Sequence, residues 1–281
     1  MLSLSSLLNV DPLVLRQSIW DKTPCFAQGG GQAVLRRFNA GVLKSAVENG
    51  ELPSSQVVVK GFMGPIDVSN GTDTVDGALA VQRIWAEEHA LIINGAHSVV
   101  GGLGDMAAEL METAGCTVRA NAYRTVMGTF AYPTHWDTHG LVAIQLSGAK
   151  RWELFPPVFQ HPVEGQTMGT VDAPEIDMNR PAMVVELRAG DVLYVPRGWG
   201  HRVVTIDDES VHITFGFYPE TELDGLDRAM ALVKEKLALD TEFRAELGSG
   251  EGDLEARAAE LLATVFEELR GKTEAAVKLV G

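Results

Sequence analysis

Residues 135–157 read HWDTHGLVAIQLSGAKRWELFPP. The stretch opens with two histidines and an aspartate inside five residues and continues into short runs of alternating apolar residues. In an extended chain, residues i and i+2 point to the same side. His135 and Asp137 are so spaced and can address one point inside a β-barrel. A third ligand then has to come from another strand, because a facial set needs three directions. The candidate is His201, in GDVLYVPRGWGH (190–201). There a β-run ends at Pro196, a glycine-rich turn follows, and a histidine opens the next strand. Two imidazoles and one carboxylate leave about three positions open on an octahedral ion, the donor set typical of non-haem Fe(II) oxygenases. A structural zinc would take four ligands with thiolates, and no cysteine lies nearby in the sequence.

The neighbouring polar residues leave alternatives open. His139 lies at i+4 from His135. It could replace His135 as a ligand, donate a hydrogen bond to one, or touch substrate. A pocket-lining role is preferred, because three ligands from one strand would be nearly collinear. Lys150 starts the strand after the turn LSGA, on a strand expected to hairpin with the one following the HxD segment. An inward lysine is costly unless an anion neutralises it; the competing reading is a surface lysine beside a turn. Trp136, between the two ligands, points the opposite way and packs in the core. Trp199 either rims the mouth of the site or packs. Arg197 could meet an acidic substrate group, but an exposed loop arginine is the usual reading.

The flanking sequence sets the architecture. From about residue 118 the apolar period is two, through VRANAYRTV, LVAIQLS, KRWELFPP, AMVVELR, DVLYVP, HRVVTI and SVHITFGFY. Short runs rich in β-branched and aromatic residues, separated by Gly, Pro, Asp and Ser, describe an all-β barrel or jelly roll. Before that, the segments from GALAVQRIWAEEHALIING to GDMAAELMETAGC carry a helical period, with Gly115 as a stop. After Pro219 the helical period returns, broken by LGSGEGD (247–253). The expected divisions are 1–118 (α/β elements packing on the barrel), 119–219 (the barrel) and 220–281 (a helical region).

Composition narrows the function classes. The chain has 281 residues, 46% hydrophobic and 22% charged, which is ordinary for a soluble globular protein. With 23 basic against 38 acidic residues the net charge is −15. Such a surface repels phosphates, so no nucleic-acid partner is expected. The N-terminal MLSLSSLLNVDPLVL lacks a basic region and carries Asp11, so it reads as an amphipathic first helix rather than a signal peptide. No apolar run is long enough to span a bilayer. The two cysteines, Cys25 and Cys116, form no CxxC, which fits a reducing cytoplasm. VVGGLGD misses the dinucleotide-binding spacing. NGT at 70–72 fits a glycosylation acceptor without other signs of secretion.

With His135, Asp137, Lys150 and His201 in hand, the chain resembles the JmjC-type cupin oxygenases, in particular the subgroup of ribosomal oxygenases and their bacterial relatives. NAYRT (121–125), residues 135–157 and GDVLYVPRGWGH carry the resemblance. IWDKTPCF (19–26) and ALIINGAH (90–97) add to it. The resemblance implies a mainly β fold, a double-stranded β-helix with N-terminal α/β elements and a C-terminal helical region. It implies that His135, Asp137 and His201 bind Fe(II), that Lys150 and Tyr123 hold the distal carboxylate of 2-oxoglutarate, and that Asn121 and Thr214 lie beside this cosubstrate. O2 is the other cosubstrate, succinate and CO2 are released, and an amino-acid side chain of a protein or peptide is hydroxylated. N-demethylation by the same chemistry, or a metal cupin acting on a small molecule without 2-oxoglutarate, are the alternatives. His139 and Trp199 are candidates for the substrate pocket. About 60 residues follow the barrel, room for a helical dimerisation region but little for a winged helix. This places a different protein, or a smaller peptide of the natural-product type, on an equal footing with a ribosomal protein as substrate. Apolar positions Leu223, Leu226, Met230 and Val233 form a stripe suited to a homodimer.

Overall fold

A computed structural model of the chain describes residues 1–239, apart from 62, 70, 128 and 130, together with residue 263. The eleven strands among the described residues are β1 Cys25–Ala27, β2 Val57–Gly61, β3 Gly64–Ile66, β4 Ala90–Ile93, β5 Thr117–Val126, β6 Gly140–Ser147, β7 Ala149–Phe155, β8 Met183–Arg188, β9 Val192–Val195, β10 Gly200–Thr205 and β11 Glu209–Tyr218. Each of the seven runs read as strands from their period of two becomes one of β5 to β11. All pair antiparallel, in an eight-stranded sheet ordered β1-β9-β6-β11-β5-β4-β2-β3 and a three-stranded sheet ordered β10-β7-β8. Two facing antiparallel sheets are the double-stranded β-helix.

The large sheet is covered on both sides, and its side-chain alternation shows by what. On β11, Val211, Ile213, Phe215 and Phe217 join one apolar cluster with Val118, Ala120 and Ala122 of β5. That cluster also takes Leu4, Leu7 and Leu8 from helix Leu4–Leu8, and Leu103, Met106, Ala107 and Leu110 from helix Leu103–Ala114. The N-terminal region is therefore a layer on the outer face. The opposite faces of the same strands look into the barrel. Leu141 and Ala143 of β6 and Leu193 and Val195 of β9 meet Trp152, Leu154 and Leu187 of the small sheet there. Ser210, His212 and Thr214 alternate with the apolar residues of β11, as Asn121, Tyr123 and Thr125 do on β5, so this part of the interior is polar.

Three readings change. The run ALII (90–93), taken with the helical segments, is strand β4, buried at all four positions. A short apolar run buried on both faces carries no period that separates strand from helix. The N-terminus forms two short helices rather than one. Ser3 caps the first, Asn9 ends it in the left-handed conformation, and Asp11 caps the next. Finally, β6 and β7 are not a hairpin, since β6 pairs with β11 and β9 and β7 with β10 and β8. Gly148 turns the chain from one sheet to the other at φ +62°, and a Cβ there would lie 2.0 Å from the Glu209 carbonyl oxygen. Helix Leu103–Ala114 stops at Gly115, left-handed at φ 69°, as its position predicted.

The chain divides into two compact units, Met1–Pro219 and Glu220–Gly281. The described part of the second is helix Glu222–Leu237, started by Thr221, whose hydroxyl accepts from the Asp224 N–H. The break read at 247–253 and the glycosylation pattern's Asn70 lie outside the described residues. Among the described residues, no helix is long and apolar enough to cross a membrane.

Candidate metal centre and cavity

The HxD segment is an extended loop rather than a full strand. Its one bridge is His135 to His201, the second residue of β10. The two residues bond reciprocally, His201 N–H to the His135 carbonyl at 2.8 Å and His135 N–H to the His201 carbonyl at 3.3 Å. Their rings then lie side by side, with centroids 4.3 Å apart. Asp137 is tied in through its carbonyl, which accepts from Gly198 N–H at 2.9 Å.

The side chains converge. One ligand atom from each of His135, Asp137 and His201 lies within 4.8 Å of the others. His135 Nε2 is 3.7 Å from one carboxylate oxygen and His201 Nε2 is 3.8 Å from the other. The tautomers follow from the partners: His135 Nδ1 faces the Pro133 carbonyl at 2.8 Å, and His201 Nδ1 faces the Trp199 carbonyl at 3.3 Å. A carbonyl only accepts, so both Nδ1 atoms carry the proton and both Nε2 lone pairs are free to bind a metal. Burial and the neighbouring His135 push His201 down to about 4, which keeps it neutral. Burial works against the charge on Asp137, but the imidazoles of His201, His139 and His135 hold its carboxyl below its ordinary value. Two neutral imidazoles and one carboxylate in this arrangement fit a divalent ion with open positions.

These residues line a cavity of about 280 Å³, together with Asn121, Tyr123, Lys150, His212 and Thr214. Lys150 points inward and is 2% exposed. Among the described residues it has no carboxylate partner. Its amine donates instead to His212 Nδ1 at 2.9 Å. Burial alone pushes it down to about 7. Tyr123 lies opposite His212 in the β5–β11 register and stacks on it, centroids 4.7 Å apart. Asn121 donates to the Tyr123 hydroxyl at 3.4 Å and accepts from Gly95 N–H at 2.9 Å. Thr214, paired across from Asn121, also bonds Tyr123.

His139 lines the cavity but is not one of the converging donors. It stacks on Tyr218 at 4.4 Å and lies so close to Gly216 that a Cβ there would be 2.7 Å from its ring. Trp199 packs with the Leu141 and Trp152 cluster and is not among the residues lining the cavity. Trp136 faces away from the centre and packs with Phe155 and Ile176. Arg197 is a correction: it is 14% exposed and paired with Asp21 rather than free in solvent. Sequence reasoning missed His212, although its signal was present, two positions before Thr214 on one strand and so on the same face.

Fold and site together define a cupin-type β-helix with a 2-His-1-carboxylate centre. Residues 104–224 match the family model described as JmjC domain. It is similar to the bifunctional lysine-specific demethylase and histidyl-hydroxylase NO66 of Drosophila persimilis, 30% identical over 179 residues, 60% of this chain and 26% of that protein. Ribosomal oxygenase 1 of Danio rerio is 32% identical over 141 residues, 48% of this chain and 25% of its own length. The chain thus spans about a quarter of these curated relatives. The fold is shared with Escherichia coli YcfD, described as a ribosomal oxygenase in complex with cobalt and 2-oxoglutarate (TM-score 0.57, 17% identity, covering 92% of this chain and 66% of that one).

Proposed function

We propose that this protein is an Fe(II)- and 2-oxoglutarate-dependent dioxygenase that hydroxylates an amino-acid side chain of a protein or peptide, releasing succinate and CO2. One observation carries the reading: a single cavity presents both a converging His–Asp–His donor set and a buried lysine without a carboxylate partner among the described residues. A buried amine of this kind is stabilised by an anionic ligand, and 2-oxoglutarate has a carboxylate to spare beyond the metal. When bound, iron, 2-oxoglutarate and O2 would supply the oxidising power.

The chain's own contribution is placement. His135, Asp137 and His201 would hold the ion on one side and leave the other open. Lys150, kept in place by His212, would take the distal carboxylate, with the Tyr123 hydroxyl beside it. Asn121 and Thr214 fix the Tyr123 hydroxyl, and the stacked His139–Tyr218 pair would line the path of the substrate. The similarity to proteins named histidyl-hydroxylase and ribosomal oxygenase supports a protein or peptide substrate.

Succinate formation from 2-oxoglutarate with Fe(II) and candidate peptides tests the reading. Asp137→Ala should abolish it, and mass spectrometry should find products one oxygen heavier. Products lighter by a methylene would favour demethylation, the other activity in the name of the Drosophila relative.

The division at 118 and 219 belongs to the same proposal, with the chemistry in 119–219 and a dimer contact in 220–281. Leu223, Leu226 and Met230 are exposed on one helix at 49%, 47% and 38% and support homodimerisation; the Val233 side chain lies outside the described residues. Light scattering that gave a monomer mass at all concentrations would remove this part. The two free thiols support a cytoplasmic location, and the charge of −15 supports partners other than nucleic acid.

A further inference from the structure

Asp21, in the IWDKTPCF segment, takes part in none of the chemistry above, yet it is the hub of a polar cluster. Arg197 grips it with a fork, Nε to Oδ1 at 3.0 Å and Nη2 to Oδ2 at 2.9 Å. His161 Nδ1 lies 3.1 Å from Oδ2, and the Asp21 N–H donates to the buried Tyr194 hydroxyl at 2.9 Å. Trp20 stacks on the Tyr194 ring, centroids 6.0 Å apart. Asp21 and His161 both have left-handed backbones, φ 55° and 47°, which non-glycine residues rarely adopt. Conformations of this kind persist where the surroundings over-determine them.

The cluster grips a turn that touches two of the three converging donors. Pro196 to Trp199 form a four-residue turn closed by Trp199 N–H to the Pro196 carbonyl, with Gly198 at φ 78° in its third position. Arg197 occupies the second position, so its side chain is the handle of the turn. Gly198 N–H holds the Asp137 carbonyl, and the Trp199 carbonyl fixes the His201 ring through Nδ1. A bidentate arginine–carboxylate pair sets orientation as well as distance.

We propose that Asp21 and Arg197 are positioning residues for the metal centre: their pair anchors the 196–199 turn, and through it the orientation of Asp137 and His201. The inference rests on the metal reading above. Groups that orient metal ligands contribute ~10- to 100-fold in metal affinity.

The test is Co(II) titration followed by visible absorption, in wild type, Asp21→Asn, Arg197→Lys and the double variant, with thermal melting of each metal-free protein. Asp21→Asn and Arg197→Lys should each weaken Co(II) binding ~10- to 100-fold with altered band positions. The double variant should be no weaker than the worse single one, because both break one link. If Asp21→Asn does not fold, Arg197→Lys decides alone, since it keeps the charge and loses only the fork. Wild-type affinity and spectrum in the variants would overturn the proposal, even with a lowered melting temperature, since the pair would then be a staple for the fold alone. Failure of the wild type itself to bind Co(II) would overturn the metal reading, and the clamp with it.

Discussion

His135 and His201, 66 positions apart in sequence, are a hydrogen-bonded pair that exchange both main-chain bonds. Two of the three converging donors, from distant parts of the chain, are thus set by one backbone bridge. Asp137 completes the set through the turn that precedes β10. The backbone holds the donors together before any ion arrives, so the cost of collecting like partial charges falls on folding rather than on binding.

Loss of the carboxylate should therefore remove affinity without removing the fold. Asp137→Asn keeps the shape and deletes the only negative donor in the set. Calorimetric titration with Mn(II) should show affinity reduced by more than ~100-fold, beyond the ~10- to 100-fold typical of losing only a group that orients a ligand. An unchanged affinity would mean that Asp137 does not bind the ion.

Acid should weaken the metal-free protein through His201. Its ordinary value of 6.5 falls to about 4 in the fold, chiefly by burial. Between those values the unfolded chain binds a proton that the folded chain does not, so stability falls as the pH drops from 6.5 towards 4. That interval is worth about 3 kcal/mol at 1.36 kcal/mol per pH unit. Urea unfolding at a series of pH values should show this slope in wild type and a flatter one in His201→Gln.

The legible parts of the sequence were those that obey one local rule. The period of two is clearest on β5 and β11, where polar residues alternate with apolar ones and the two faces differ in residue type. Spacing of two placed His135 and Asp137 on one side. Two readings failed where a long-range contact decides. ALII has no period because β4 is covered on both faces, and LSGA looks like any short turn until the path of the Glu209 backbone shows why Gly148 switches sheets. Arg197 was misread as an exposed loop residue because its partner, Asp21, lies 176 residues away. His212 was within reach of the strand rule but offered no motif of its own.

Gly148 gives a direct test of that corner. Alanine would be strained at φ +62°, and its Cβ would collide with the Glu209 carbonyl oxygen. Left-handed backbone alone costs about 1–3 kcal/mol, and overpacking about as much again. Gly148→Ala should lower the urea midpoint by an amount equivalent to about 3 kcal/mol, with little change in the slope of the transition. A neutral substitution would show that the corner tolerates a different path.

Lys150 should make cosubstrate binding pH-dependent. Burial brings its amine down to about 7, so above that pH the empty cavity holds a neutral lysine donating to His212. A carboxylate arriving at the amine favours the charged form and draws a proton with it. At pH 8 about nine in ten empty sites are neutral, and binding of 2-oxoglutarate to the Mn(II)-loaded protein should take up close to one proton per site. Calorimetry in two buffers of different ionisation enthalpy reads that number directly. The affinity should fall about tenfold for each pH unit above 7. Lys150→Met should lose the affinity and its pH dependence together, while the His135, Asp137 and His201 site still binds Mn(II). The sign for stability is also fixed: the unfolded lysine, at 10.5, binds more protons than the folded one between pH 7 and 10.5. The empty wild-type protein should therefore gain stability over that range relative to Lys150→Met. Tight binding with no proton uptake would place the distal carboxylate away from Lys150.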